Sequence, residues 1–145
     1  MTRPRGLSLL IALLAAVGLG ISTVSLVSHY SSSSSEYCAF DETFNCDLVN
    51  RSVYSKFLGV PVALIGMLGY GALLVLTLMQ SRPAPALMFA GSLAGLGFAL
   101  YLTYIEAFIL GVWCILCLGS LAVISAITVL AALRMRRGPA LQAAP

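Results

Sequence analysis

The chain has 145 residues, 60% of them hydrophobic and only 9% charged, with a formal net charge of +3 and a mean hydropathy of +1.00. A water-soluble domain needs more charge on its surface than this, so the composition points to a membrane protein. The apolar residues run in continuous blocks rather than alternating with polar ones, which argues against a β-barrel. The few basic residues sit at the edges of those blocks, as topology signals rather than as a nucleic-acid surface.

A helix needs about 20 apolar residues to cross a hydrocarbon core. Four runs qualify, at about 7–27, 59–80, 86–106 and 113–133. The expected fold is therefore an all-α membrane protein, a single four-transmembrane-helix bundle over residues 1–145 with an outer loop at 28–58. Run 1 follows Arg3 and Arg5. A cleaved secretory signal is the alternative reading, but the run exceeds the roughly 7–15 apolar residues of such signals, and no A-x-A site follows it.

The outer loop opens with "SSSSSE" at Ser31 to Glu36, a short flexible linker. Cys38 and Cys46 follow. The stretch "CDLVNRSVYSKFLG" sets Leu48, Val49, Val53, Phe57 and Leu58 among polar residues at loosely helical spacing. That pattern predicts a short amphipathic helix lying on the outer interface. Pro61 suits the first turn of the second span, where a missing N–H costs least. "QSRPAPA" forms a tight turn that ends this span.

Glycines recur at Gly66, Gly69 and Gly71, and again at Gly91, Gly95 and Gly97. Small residues at this spacing let helices approach closely, and a slot for a flat ligand is the alternative. Glu106 ends the third span and is read as snorkelling to water, with a proton relay as the alternative. His29 reads as an interfacial group. Tyr70, Tyr101 and Tyr104 lie in spans and suit packing or interfacial anchoring, with ligand contact as the alternative.

Orientation follows from the charges. Arg3, Arg5, Arg82, Arg134, Arg136 and Arg137 fall on one side, whereas Arg51 and Lys56 share the other with all five acids. By the positive-inside rule both termini lie in the cytoplasm, and all four cysteines face outward. Disulfides are permitted there.

"WCILC" opens the last span, with Cys114 and Cys117 on one helix face and the only tryptophan, Trp113, beside them. A helix N-terminus carries partial positive charge that favours a thiolate. A bridge between residues three apart adds little stability, because the loop it closes is so short. Redox chemistry is therefore the better account of this pair, which is expected as a disulfide at rest. Cys38 and Cys46 read either as a second redox pair or as a loop staple. No metal is expected: CxxC is also zinc spacing, but the 38–46 separation is not. A dithiol at the boundary of water and lipid can meet a protein on one side and a lipid-soluble carrier on the other.

The order of these elements, with "CDLVNRSVYS...GVPVALIGMLGY" between the loop cysteines and "WCILC", resembles the vitamin K epoxide reductase family over about residues 7–133. The likeness is greatest to bacterial members that act as DsbB-like disulfide oxidases. The resemblance implies an enzyme, a thiol oxidoreductase with a quinone acceptor such as menaquinone or ubiquinone. Cys114 and Cys117 would form the active pair, Cys117 lying nearer the quinone. Cys38 and Cys46 would be the shuttle pair, with Cys46 attacking Cys114.

Ser52 matches a serine implicated near the quinone head, and a plain helix-surface hydroxyl is its alternative. Cys117, Ser52, Trp113 and Tyr104 are the residues assigned to the quinone, Trp113 having interfacial anchoring as its simpler role. The implied partner is a separate DsbA-like thioredoxin-fold protein outside a bacterial cytoplasmic membrane. Leu121 and Val62 stand where vertebrate members place a quinone-contacting tyrosine and an asparagine. Ordinary quinone reduction is therefore expected rather than epoxide reduction. A non-catalytic tetraspan scaffold with structural disulfides is the rival.

Overall fold

A computed structural model describes residues 3–30, 43–79 and 84–142. Cys38, the serine-rich linker and Arg82 fall outside the described residues, as do the side chains of Cys46 and Asp47.

Four long apolar helices form the bundle: α1 (Arg3–Tyr30), α3 (Val62–Leu78), α4 (Ala84–Ile105) and α5 (Ile115–Gln142). Helix α1 packs on α3 and α5, and α4 packs on α3 and α5, so the four close into a ring. Three segments, Gly6–Tyr30, Ala84–Leu110 and Ile115–Arg137, are long and apolar enough to span a bilayer. The 17 residues of α3 rise about 25 Å at 1.5 Å per residue. The ring is a four-helix membrane bundle. Its helices are apolar on their outward faces as well, with Leu9, Leu13, Leu68 and Val129 more than half exposed, as lipid-facing residues must be.

The tight core lies toward the end of the bundle that holds both chain termini. Ile11, Ala15, Met88, Ile127 and Ala131 are fully buried there, with Leu73 among them. Close approach of α1 and α3 depends on missing side chains. A Cβ at Gly18 would stand 2.3 Å from Tyr70 Cε1, and one at Gly66 would stand 2.7 Å from Ser22 Oγ. The packing role expected of Gly66 is thus realised, whereas Gly69, Gly71 and Gly97 face no atom within 4 Å.

The loop segment departs from the expected amphipathic helix. Only Cys46–Arg51 is α-helical (α2), capped by Asn45, whose Oδ1 accepts the Leu48 N–H. Ser52 ends it by turning to an extended conformation, and its N–H and hydroxyl both donate to the Val49 carbonyl. After one 3-10 turn, β1 (Lys56–Phe57) and β2 (Val60–Pro61) make a small antiparallel hairpin. Its two-residue loop, Leu58 and Gly59, has positive φ at both positions, the geometry that matches strand twist. The hairpin takes up the first residues expected of the second span, so α3 starts at Val62 with Pro61 at its N-cap rather than in its first turn.

Between α4 and α5 the chain widens into a π-helical turn, Glu106–Leu110, closed by Gly111 in the left-handed conformation at φ 65°. Helix α5 then begins at Ile115. Cys114 is its cap residue, with its carbonyl accepting the Leu118 N–H at 3.0 Å. The CxxC pair therefore straddles the helix start instead of lying wholly in the first turn.

Candidate active site

Two strand-like hydrogen bonds pin the loop to the start of α5. The Trp113 N–H donates to Thr43 O at 2.8 Å, and the Asn45 N–H donates to Trp113 O at 3.1 Å. The residue after Asn45 is Cys46, and the residue after Trp113 is Cys114. This short parallel pairing carries the backbone at Cys46 to the side of Cys114. Cys114 is fully buried and packs with Val49, Leu116 and Cys117. Cys117 is half-buried with an unbridged thiol, so the disulfide expected at rest between these two is not formed in this structure.

Above the tight core, the four helices and α2 enclose a cavity of about 370 Å³. That is within the usual range of small-molecule pockets, roughly 300–1,000 Å³. Its walls are apolar, with Ile21, Leu73, Phe98 and Ile124 among them, and Gly66, Gly69, Gly91 and Gly95 leave it room. Its polar lining includes Cys117, Ser52, His29, Asn50, Tyr70 and Glu106. Cys117 and Ser52 are thus brought to one cavity. Trp113 and Tyr104 are not part of its lining. The Trp113 backbone is engaged in the loop pairing, and the Tyr104 ring lies 4.9 Å from that of Phe108 on an exposed face.

Three polar side chains at this cavity were not assigned to a site from sequence. The Tyr70 hydroxyl donates to the Ser120 carbonyl at 3.0 Å and lies 2.8 Å from its Oγ, locking the ring between α1 and α5. Asn50 is buried, and its carbonyl accepts from His29 Nδ1. Its Nδ2 is buried with no hydrogen-bond partner among the described residues. A donor in that state is costly to leave unmade, about 1–3 kcal/mol, and suits a carbonyl ligand.

Glu106 corrects the sequence reading most sharply. It does not snorkel to water but is 1% exposed. The π-helical turn folds it back under α5, where its Oε2 accepts the Cys114 N–H at 3.0 Å. Cys117 lines the same cavity as this carboxyl, and Oε1 has no partner among the described residues. The N–H it accepts belongs to the residue that caps α5, so the carboxyl closes the start of that helix. The signal available in sequence was its position eight residues before Cys114, which means little until the π turn and Gly111 reverse the chain.

Among the described residues no group of three or more potential metal ligands comes together. The profile of the vitamin K epoxide reductase family matches residues 9–132. Members of that family are oxidoreductases that couple thiol–disulfide chemistry to quinones. The match reaches into all four helices and includes both cysteine pairs, and the chain belongs to the vitamin K epoxide reductase family.

Proposed function

We propose that this chain is a quinone-dependent disulfide oxidase of the bacterial, DsbB-like kind, reoxidising a DsbA-like thioredoxin-fold partner at the outer face of the membrane. The carrying observation is the union of a buried Cys114 with a backbone pairing that brings Cys46 to its side. A fully buried sulfur is out of reach of a soluble partner. Electrons from outside must therefore come through a cysteine of the chain's own loop.

The partner's dithiol reduces a Cys38–Cys46 disulfide by thiol exchange, and the partner leaves oxidised. The Cys46 thiolate attacks Sγ of Cys114 in a Cys114–Cys117 disulfide, forming a Cys46–Cys114 bond and releasing the Cys117 thiolate. Cys38 then attacks Cys46, restoring the loop disulfide and leaving Cys114 and Cys117 as the reduced pair. A quinone supplies the two-electron acceptor.

The residues present fit one. The apolar walls hold a flat ring, Asn50 Nδ2 can donate to a ring carbonyl, and Cys117 reaches the same space. Ser52 has its hydroxyl committed to Val49 and shapes the rim where α2 meets the cavity. Trp113 anchors the loop pairing, and Tyr104 lies toward the outer end of α4 on the lipid-exposed side.

The orientation supported by charge has both termini in the cytoplasm. The test is turnover of the purified protein with a reduced thioredoxin-fold partner and a short-chain ubiquinone or menaquinone. Loss of quinone absorbance is expected only when the partner is present, one partner disulfide forming per quinol. Absence of partner-dependent reduction of either quinone by folded protein overturns this reading and favours a scaffold.

A further inference from the structure

We propose that Glu106 is the proton acceptor for the Cys117 thiol, and that it carries that proton from the sulfur to the oxygen of the bound quinone. The inference rests on the quinone reading above and adds the proton path.

Its basis is geometric. Among the described residues Glu106 is the only carboxyl lining the cavity, and it is 1% exposed. One oxygen is fixed on the Cys114 N–H at 3.0 Å, which sets the carboxyl's orientation, and Cys117 packs against Cys114 and lines the same cavity as Glu106. The other oxygen is buried without a partner among the described residues. A buried carboxyl with a vacant acceptor, beside a reacting thiol and open to the ligand cavity, has the placement of a general base. Among the described residues, the other titratable groups lining the cavity beside Cys117 are His29, Tyr54 and Tyr70. Tyr70 is committed to Ser120, and His29 to the Asn50 carbonyl.

Charge explains why a carrier is needed. A thiolate and a carboxylate side by side in an apolar site repel each other. Handing the thiol proton to the carboxylate moves one negative charge from oxygen to sulfur without adding a second.

The step balances. Closing the Cys114–Cys117 bond breaks two S–H bonds and releases two electrons and two protons. Both electrons pass to the quinone, which becomes the quinol. The proton of Cys117 goes to the Glu106 carboxylate and from there to one ring oxygen. The proton of Cys114 ends on the second ring oxygen, completing the quinol.

The test uses full-length protein with Glu106→Gln and Glu106→Asp. Glutamine keeps an oxygen for the Cys114 N–H but cannot take a proton. Glu106→Gln is expected to lower kcat for quinone reduction by about 100-fold, the lower end of general acid–base effects. KM for the quinone should stay within about twofold, and Glu106→Asp should recover part of the rate. Infrared difference spectra between dithiol and disulfide forms of the quinone-free protein should carry a carboxyl band that disappears in Glu106→Gln. Retained kcat in Glu106→Gln, or a carboxyl band that does not respond to the state of Cys117, overturns the role of Glu106. Wild-type protein inactive with every quinone instead overturns the underlying quinone reading. A thermal melt of Glu106→Gln with and without added quinone, showing the same stabilisation by the quinone as wild type, checks that the variant still folds and seats the ring.

Discussion

The backbone N–H of Asn45 donates to the carbonyl of Trp113 at 3.1 Å, and the next residue on each strand is a cysteine. This bond aligns the helix starts of α2 and α5, so that the Cys46 backbone is delivered to a sulfur no outside thiol can reach. An internal relay has a direct chemical signature. Cys117→Ala removes the thiol that would resolve a Cys46–Cys114 bond, so this mixed disulfide should accumulate during turnover. Peptide mapping after acid quench and alkylation checks it. Recovery of only Cys38–Cys46 with Cys114 alkylated would return the loop pair to the role of a staple.

Cys114→Ala should leave the Cys117 thiol beside the quinone with no sulfur to close on. The backbone N–H that holds Glu106 is retained in this variant, since alanine keeps it. A thiolate stacked against a quinone forms a charge-transfer complex, so the reconstituted protein should be coloured. The colour should fade on acidification or quinone extraction. Visible absorbance spectra decide the matter, and a colourless folded variant tested with several quinones counts against ring contact at Cys117.

Asn50→Ala separates ligand binding from stability. The lone protein gives up a buried donor that has no partner among the described residues, so its thermal unfolding temperature should hold or rise. Quinone affinity should fall by about two- to tenfold, the equivalent of one hydrogen bond of roughly 0.5–1.5 kcal/mol. Paired melting curves and quinone titrations measure the two effects. A variant that unfolds earlier but binds quinone normally would show that Nδ2 serves the fold alone.

Gly18→Ala tests the packing that holds Tyr70. A Cβ there would meet the ring at 2.3 Å, and the ring is tied to Ser120 on the far side and has little room to retreat. Overpacking of this kind costs about 1–3 kcal/mol. Gly20→Ala, where nothing lies within 4 Å, should be neutral or slightly stabilising. Unfolding of the two variants side by side in one detergent gives the comparison, and equal stability would mean that the α1–α3 contact yields easily.

Continuous apolar runs report spans because every backbone group in lipid must be paired within its own helix, a local requirement. Four spans were therefore legible along the chain, and the family resemblance was legible in the order of "CDLVNRSVYS" and "WCILC". The i, i+3 relation of Cys114 and Cys117 follows from helical period alone. What lay beyond sequence depended on contacts between distant segments or on a few backbone angles. The expected amphipathic helix stops at Arg51 because Ser52 turns its N–H and hydroxyl onto Val49, and a hairpin with positive φ at Leu58 and Gly59 takes up the remainder. Asn50 became a cavity donor only when α2 settled against α1. Glu106, at the edge of an apolar run, has the sequence of a snorkelling carboxylate. A π-helical turn and a left-handed Gly111 bring the chain back on itself, and the N–H of Cys114 then holds the carboxylate inside, where lipid-edge hydropathy alone would have sent it to water.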